Sequence, residues 1–278
     1  MDLNFFQSLI YGLIAGLTDI LPVSAQAHRL ILLKIFGGDS ESAVLRLMIH
    51  LATLGALYYC CRGQILRIMR QQRLSRIPKR RRKRPVDMRS IMDYRLLKTM
   101  LLPVLIGFVL YFKTSAIAAS LMWTSVFLFV NGVLLFVPRL LPSGNKDSRS
   151  MSRLDGFSMG LGGAASALPG ISSVGAAVSV AVVRGADRVY AVNMALLMHM
   201  AVTVGLIIFD LIAVFTGAAG TISFGILMGY LFAAIFAFGG VFLGIRIVRS
   251  IAVHMGFDMF AYYCWGAAFF AFILYLSV

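Results

Sequence analysis

The chain has 278 residues, of which 60% are hydrophobic and 13% charged, with a mean hydropathy of +0.87. Soluble domains are about 45–50% apolar and about 25% charged, so composition excludes a soluble globular protein and points to an integral membrane protein. The net charge of +15 does not mark a nucleic-acid partner, because 14 of the 26 Lys and Arg lie between Arg62 and Lys98 in one loop between apolar spans, with no aromatic residue among them before Tyr94. The positive-inside rule explains such a loop, and contact with anionic lipid headgroups is a modest addition.

The N-terminus MDLNFFQSLI reads as no signal peptide, since it lacks a basic stretch and no small-residue cleavage site closes the first apolar run. That first apolar region, roughly 3–37, is broken by Pro22 and carries Asp19, Ser24 and His28 within the stretch Gly12–His28. A charge at bilayer depth costs at least about 2.5–3.5 kcal/mol. Proline also frees a backbone carbonyl that needs another partner. The segment therefore predicts a re-entrant helix–turn–helix hairpin lining a protected site. About 20 apolar residues cross a bilayer, which predicts full spans at roughly 42–61, 96–112, 117–138, 189–212, 221–244 and 257–277. A basic loop, about 62–95, follows the first span. A second broken region, roughly 154–183, is interrupted by Pro169-Gly170 and reads as a second re-entrant hairpin.

With this topology, all 26 basic residues except Arg29, Lys34, Arg46 and Lys113 fall on one side, which the charge rule makes cytoplasmic. The first hairpin then enters from outside and the second from the cytoplasm. The halves echo each other: Gly12 and Gly16 answer Gly156 and Gly160, Leu21-Pro22 answers Leu168-Pro169, and His50-Leu51-Ala52 answers His199-Met200-Ala201. The expected fold is an all-α polytopic membrane protein, one domain over 1–278. Six transmembrane helices and two re-entrant hairpins form an inverted-topology repeat with halves at about 1–141 and 151–278. Such repeats place a site near the midplane, where the hairpin tips meet.

Asp19 is the first candidate there, because an ionisable group at membrane depth is functional by default. His28, nine residues on and across the Pro22 turn, returns to the acid's side. The hydroxyls of Ser24, Ser172 and Ser173 either satisfy broken-helix backbone or reach a ligand. Backbone N–H groups around Gly170, Ser172 and Ser173 suit a phosphate at a helix start. His50 and His199 read as packing or interhelical bonding rather than metal ligation, and Asp155 and Asp210, near span ends, as facing water. Cys60, Cys61 and Cys264 give no pairing framework and no metal spacing, and read as apolar packing.

These residues resemble the undecaprenyl-diphosphate phosphatases, bacterial membrane enzymes that recycle the lipid carrier of cell-wall synthesis. Members carry the motifs E-G-x-T-E-F-x-P-x-S-S-T-G-H and P-G-x-S-R-S-G-x-T. This chain keeps Gly16, Thr18, Pro22, Ser24 and His28 of the first, with Asp19 for its second glutamate, and Pro169, Gly170, Ser172 and Gly175 of the second. It has Ala15 for a glutamate, Ala25, Gln26 and Ala27 for Ser-Thr-Gly, and Ser173, Val174 and Ala177 for arginine, serine and threonine. The resemblance implies a multi-pass protein of the bacterial cell membrane that handles a polyprenyl phosphate or diphosphate lipid; a homodimer is compatible with it. It places Asp19, His28 and Ser24 in catalytic positions and Thr18, Gly170, Ser172 and Ser173 at the phosphate, with Arg29 as the nearby replacement cation. Ser173 cannot supply the charge of the lost guanidinium. Ala15 removes half of any carboxylate pair that could hold a divalent cation or share a proton. Three readings follow: a phosphatase with a reworked site, a non-catalytic relative that binds or moves the lipid, and an unrelated small-solute transporter.

Overall fold

Pro22 ends the first helix where the sequence says it must. α1 (Phe5–Ile20) starts in a capping box between Asn4 and Gln7, and α2 (Ala25–Ile35) begins after the turn Leu21-Pro22-Val23, capped by Ser24. Ser24 has φ of 67°, the one positive φ outside glycine among the described residues. The computed structural model describes residues 4–38, 40–82, 84–142, 144–218, 223–254 and 256–277. Within them lie ten α-helices and no strand. After α2 come α3 (Ala43–Ser75), α4 (Met88–Ala118) and α5 (Leu121–Phe136). The second half runs α6 (Arg153–Ala164), α7 (Ser173–Val183), α8 (Arg188–Ala213), α9 (Phe224–His254) and α10 (Asp258–Ser277). Six of these, α3, α4, α5, α8, α9 and α10, are long and apolar enough to cross a membrane. The chain is a multi-pass membrane protein.

The expected segments appear with two corrections. The basic stretch 62–95 is largely helical, because α3 continues to Ser75 and α4 starts at Met88. Its Arg, Gln, Leu, Ile and Met favour helix, and Gly63 alone interrupts them before Pro78. For the same reason the connection expected at 246–256 is mostly the last turns of α9. Lys83 of the basic run, residue 3 of the first region and residues 221–222 of the fifth span lie outside the described residues.

Helix partners correspond between the halves. α1 lies along α9 as α6 lies along α4, α3 crosses α9 as α8 crosses α4, and α5 pairs with α10. Glycine makes the two close approaches possible. A Cβ at Gly12 or Gly16 would strike the backbone of Ala233 or Ala237 on α9, and one at Gly160 would strike Met100 on α4. Small residues let helix backbones meet where hydrocarbon offers no hydrophobic drive. The paired glycines of the sequence echo are thus contact points.

Candidate functional site

The two interrupted segments meet end to end. The turn of Leu168-Pro169-Gly170-Ile171 separates α6 from α7, and Gly170 holds φ of 110° with its α-carbon against α5, where a Cβ would sit 2.7 Å from Leu128 N and Thr124 O. Ser172 caps α7, accepting from Gly175 N at 3.1 Å, and its hydroxyl donates to the Leu21 carbonyl at 3.3 Å. Asn131, buried in α5, joins both turns: its Nδ2 donates to the Pro22 carbonyl and its Oδ1 accepts from the Ser172 amide, each at 2.9 Å. A carbonyl of the first turn and the N-cap amide of α7 find their partners in one side chain.

The starts of α2 and α7 therefore face a common cavity of about 60 Å³. At about 30 Å³ per water, that is room for roughly two waters. Of the residues expected at the site, Asp19, Ser24, Arg29, Ser172 and Ser173 line it. Thr18, Gly170 and His28 do not. Thr18 turns its hydroxyl back to the Ile14 carbonyl at 2.7 Å. His28 points away: Nδ1 donates to the Ser24 carbonyl and Nε2 is held by the Tyr263 hydroxyl, both at 2.8 Å, with the rings stacked. Ala25, Gln26 and Arg29 form the face of α2 that lines the cavity, and one helical step of about 100° carries His28 off that face.

His50 and His199, which the sequence offered only as packing or interhelical contacts, both line the cavity. His199 Nε2 lies 3.5 Å from Asp19 Oδ2. His50 accepts from Arg29 Nη1 at 3.1 Å and donates from Nδ1 to Asp210 Oδ2 at 2.6 Å. Asp210 also accepts from Arg46 Nε at 2.9 Å, and Arg29 Nε stands 3.9 Å from Glu41 Oε2, whose other oxygen accepts from the Tyr11 hydroxyl at 2.8 Å. The expectation that Asp210 and Asp155 face water is wrong; each is 1% exposed. Both are paired, Asp210 with His50 and Arg46, Asp155 with Arg184 and Lys146 at the basic end. Buried charges survive only with such partners.

Polar atoms without a hydrogen-bond partner gather here. Among the described residues, Asp19 Oδ2, Arg29 Nε, Ser173 Oγ and both ring nitrogens of His199 are buried and unpaired. Such groups are costly unless a ligand or water takes them. Asp19 is the only carboxylate lining the cavity, and no cluster of three metal-ligating side chains occurs among the described residues. One carboxylate beside a guanidinium does not supply the several oxygens a divalent cation requires. An apolar groove of about 410 Å³ between α4 and α8 shares Val104, Phe108 and Tyr111 with the polar cavity. A polar cavity of about 220 Å³, with Tyr11, Glu41 and Arg46 in its wall, shares Gln26, Arg29 and Tyr111.

Comparison with known proteins matches the sequence to one family. The family model for bacitracin resistance protein BacA matches residues 8–270. An undecaprenyl-diphosphatase of Methanobrevibacter smithii is 28% identical over 274 residues, covering 95% of each chain. One of Carboxydothermus hydrogenoformans is 27% identical over 266 residues, 95% of this chain and 94% of its own. A third, from Nocardioides sp., is 32% identical over 208 residues, 75% of each. The chain belongs to the BacA family of undecaprenyl-diphosphatases.

Proposed function

We propose that this protein binds the phosphate end of a polyprenyl diphosphate in the cavity between the two turns and releases its terminal phosphate. The observation that carries the reading is the meeting of two helix starts, a buried guanidinium and a carboxylate in one cavity that adjoins an apolar groove. Helix N-termini and Arg29 complement phosphoryl oxygens, and the groove suits an isoprenoid tail. The family name of the relatives supplies the lipid. Positive charge follows the basic ends of α3 and α4, which this reading places in the cytoplasm. The two halves then form an inverted repeat with α1–α2 and α6–α7 as re-entrant hairpins, entering from opposite faces of a cell membrane.

In this scheme the oxygen of a water bonds to the terminal phosphorus while the bridging P–O bond breaks. The electron pair stays on the leaving lipid phosphate, and Asp19 takes the water's proton. Arg29 supplies the charge that Ser173 does not. Ala15, buried against α9 with Ala233 and Ala237, faces away from the cavity and takes no part.

A non-catalytic lipid-binding or lipid-moving role is the second reading, favoured by Ser173 standing with an unpaired hydroxyl where the family has arginine. Phosphate release from undecaprenyl diphosphate by the purified protein separates the two. Activity lost in Asp19→Asn supports hydrolysis; binding without release supports the second reading.

A further inference from the structure

Three buried histidines surround this region, and their partners fix their protonation in different ways. The carbonyl of Ser24 accepts from His28 Nδ1, and the Tyr263 hydroxyl, which can donate or accept, holds Nε2 at 2.8 Å. Arg29 can only donate, so His50 Nε2 must accept and Nδ1 carries the proton given to Asp210. Both rings thus have two hydrogen-bond partners, and His50 cannot gain a proton without losing its bond to Arg29. His199 differs. Both of its ring nitrogens lack a hydrogen-bond partner among the described residues, and one faces the carboxylate of Asp19 at 3.5 Å.

The charges around it leave an anion short of compensation. Asp19 on α1, Arg29 on α2, His50 on α3 and Tyr111 on α4 are the other titratable groups lining the cavity. α6, α7 and α9 contribute no titratable side chain to the lining among the described residues. Arg29 is matched by Glu41, and Arg46 by Asp210. With neutral histidines, Asp19 remains as an unbalanced negative charge, and a phosphate group entering beside it would be repelled in a medium that screens little. One proton on His199, between that carboxylate and the ligand, cancels the excess.

The geometry points to a proton-linked anion site, in which a phosphate group binds together with one proton taken up by His199. This rests on the reading that the cavity takes a phosphate group. It does not require that hydrolysis occurs. Because binding is linked to proton uptake, affinity should weaken as pH rises.

The test is calorimetric binding to the full-length protein in detergent, in buffers of different ionisation enthalpy, so that proton uptake is read directly. One arm uses farnesyl diphosphate and the other inorganic phosphate. The ligand's own ionisation is common to every variant, so the difference between variants is the readout. At the alkaline end of a pH series, native protein should take up about one proton more per bound ligand than His199→Gln, with affinity falling up to about tenfold more steeply per pH unit. His28→Gln should match native. Asp19→Asn, which keeps the ring and removes its carboxylate, should show reduced uptake and guards against a folding defect in the histidine variant. Uptake with the farnesyl compound alone assigns the site to a lipid headgroup, and uptake with both assigns it to the phosphate group itself; either supports the proposal. Equal uptake in native protein and a binding-competent His199→Gln overturns it. Failure of native protein to bind either probe at any pH overturns the phosphate reading of the cavity, and the linkage with it.

Discussion

The Pro22 carbonyl and the Ser172 amide are held by the same carboxamide, that of Asn131, at 2.9 Å each. Two turns far apart in sequence are thereby tied to each other beside the cavity between the starts of α2 and α7, together with the Ser172 hydroxyl on the Leu21 carbonyl. Asn131→Leu should strand the Ser172 amide, at about 1–3 kcal/mol, and leave the Pro22 carbonyl only the weak Cys264 thiol contact at 3.8 Å. Thermal unfolding in detergent checks this, and a midpoint equal to that of native protein would contradict the assigned role.

Close contact between α1 and α9 depends on glycine. Gly16→Ala places a Cβ into the Ala237 backbone and should destabilise the fold by about 1–3 kcal/mol. Gly63→Ala on α3 meets nothing within 4 Å and should be neutral or mildly stabilising, since alanine is the better helix former. Parallel melting curves of the two variants decide the matter.

Among the described residues, Arg29 is the one Lys or Arg lining the cavity. Its replacement by methionine should weaken farnesyl diphosphate binding by about 10- to 100-fold, the worth of a hydrogen bond to a charged group. Arg29→Lys should recover part of that, because lysine keeps the charge and loses the planar fork. Binding isotherms of the pair give the answer.

Ser173 lines the same cavity with an unpaired buried hydroxyl. Ser173→Arg would add a guanidinium next to the phosphate position, and phosphate release from undecaprenyl diphosphate should rise about 10²-fold. A folded variant with an unchanged rate would show that a cation at this position does not limit the reaction.

At the basic end, outside the six spans, burial pushes the Asp155 carboxyl up. Hydrogen bonds from the Ser152 backbone, Arg184 and the Ser152 hydroxyl, with Lys146 nearby, outweigh that and hold it below its ordinary 3.8. A carboxyl lowered by folding stabilises above its unfolded pKa, and that contribution disappears as pH falls through the folded value. Asp155→Asn should therefore melt below native at pH 7, and the gap should close below about pH 4. A gap independent of pH would assign the loss to geometry rather than to charge.

Apolar runs and two prolines made the helices and both turns legible, because hydrophobic length and a missing N–H act locally. The side of α2 that faces the cavity was not legible. Arg29 rather than His28 lies on it, and the phase of a helix after a turn depends on the backbone at Ser24, whose positive φ no local rule predicts. His199 and Asn131 were also missed or read as packing. Each matters only through proximity to α1 or to a turn more than a hundred positions away, and periodicity carries no such information. The matched positions of His50 and His199 in the two halves were the one signal that could have marked them. Asp210 looked like a span-end acid because sequence shows its distance from the loop but not its partners His50 and Arg46.

The most direct measurement is photolabelling with a farnesyl diphosphate analogue that carries its reactive group next to the diphosphate. Labelled peptides spanning Asp19–Arg29 and Gly163–Ser173 together, with labelling lost in Arg29→Met, are the predicted result. Label confined to the His28–Tyr263 side of α2, or to lipid-facing residues of α10, would contradict a headgroup site between the turns.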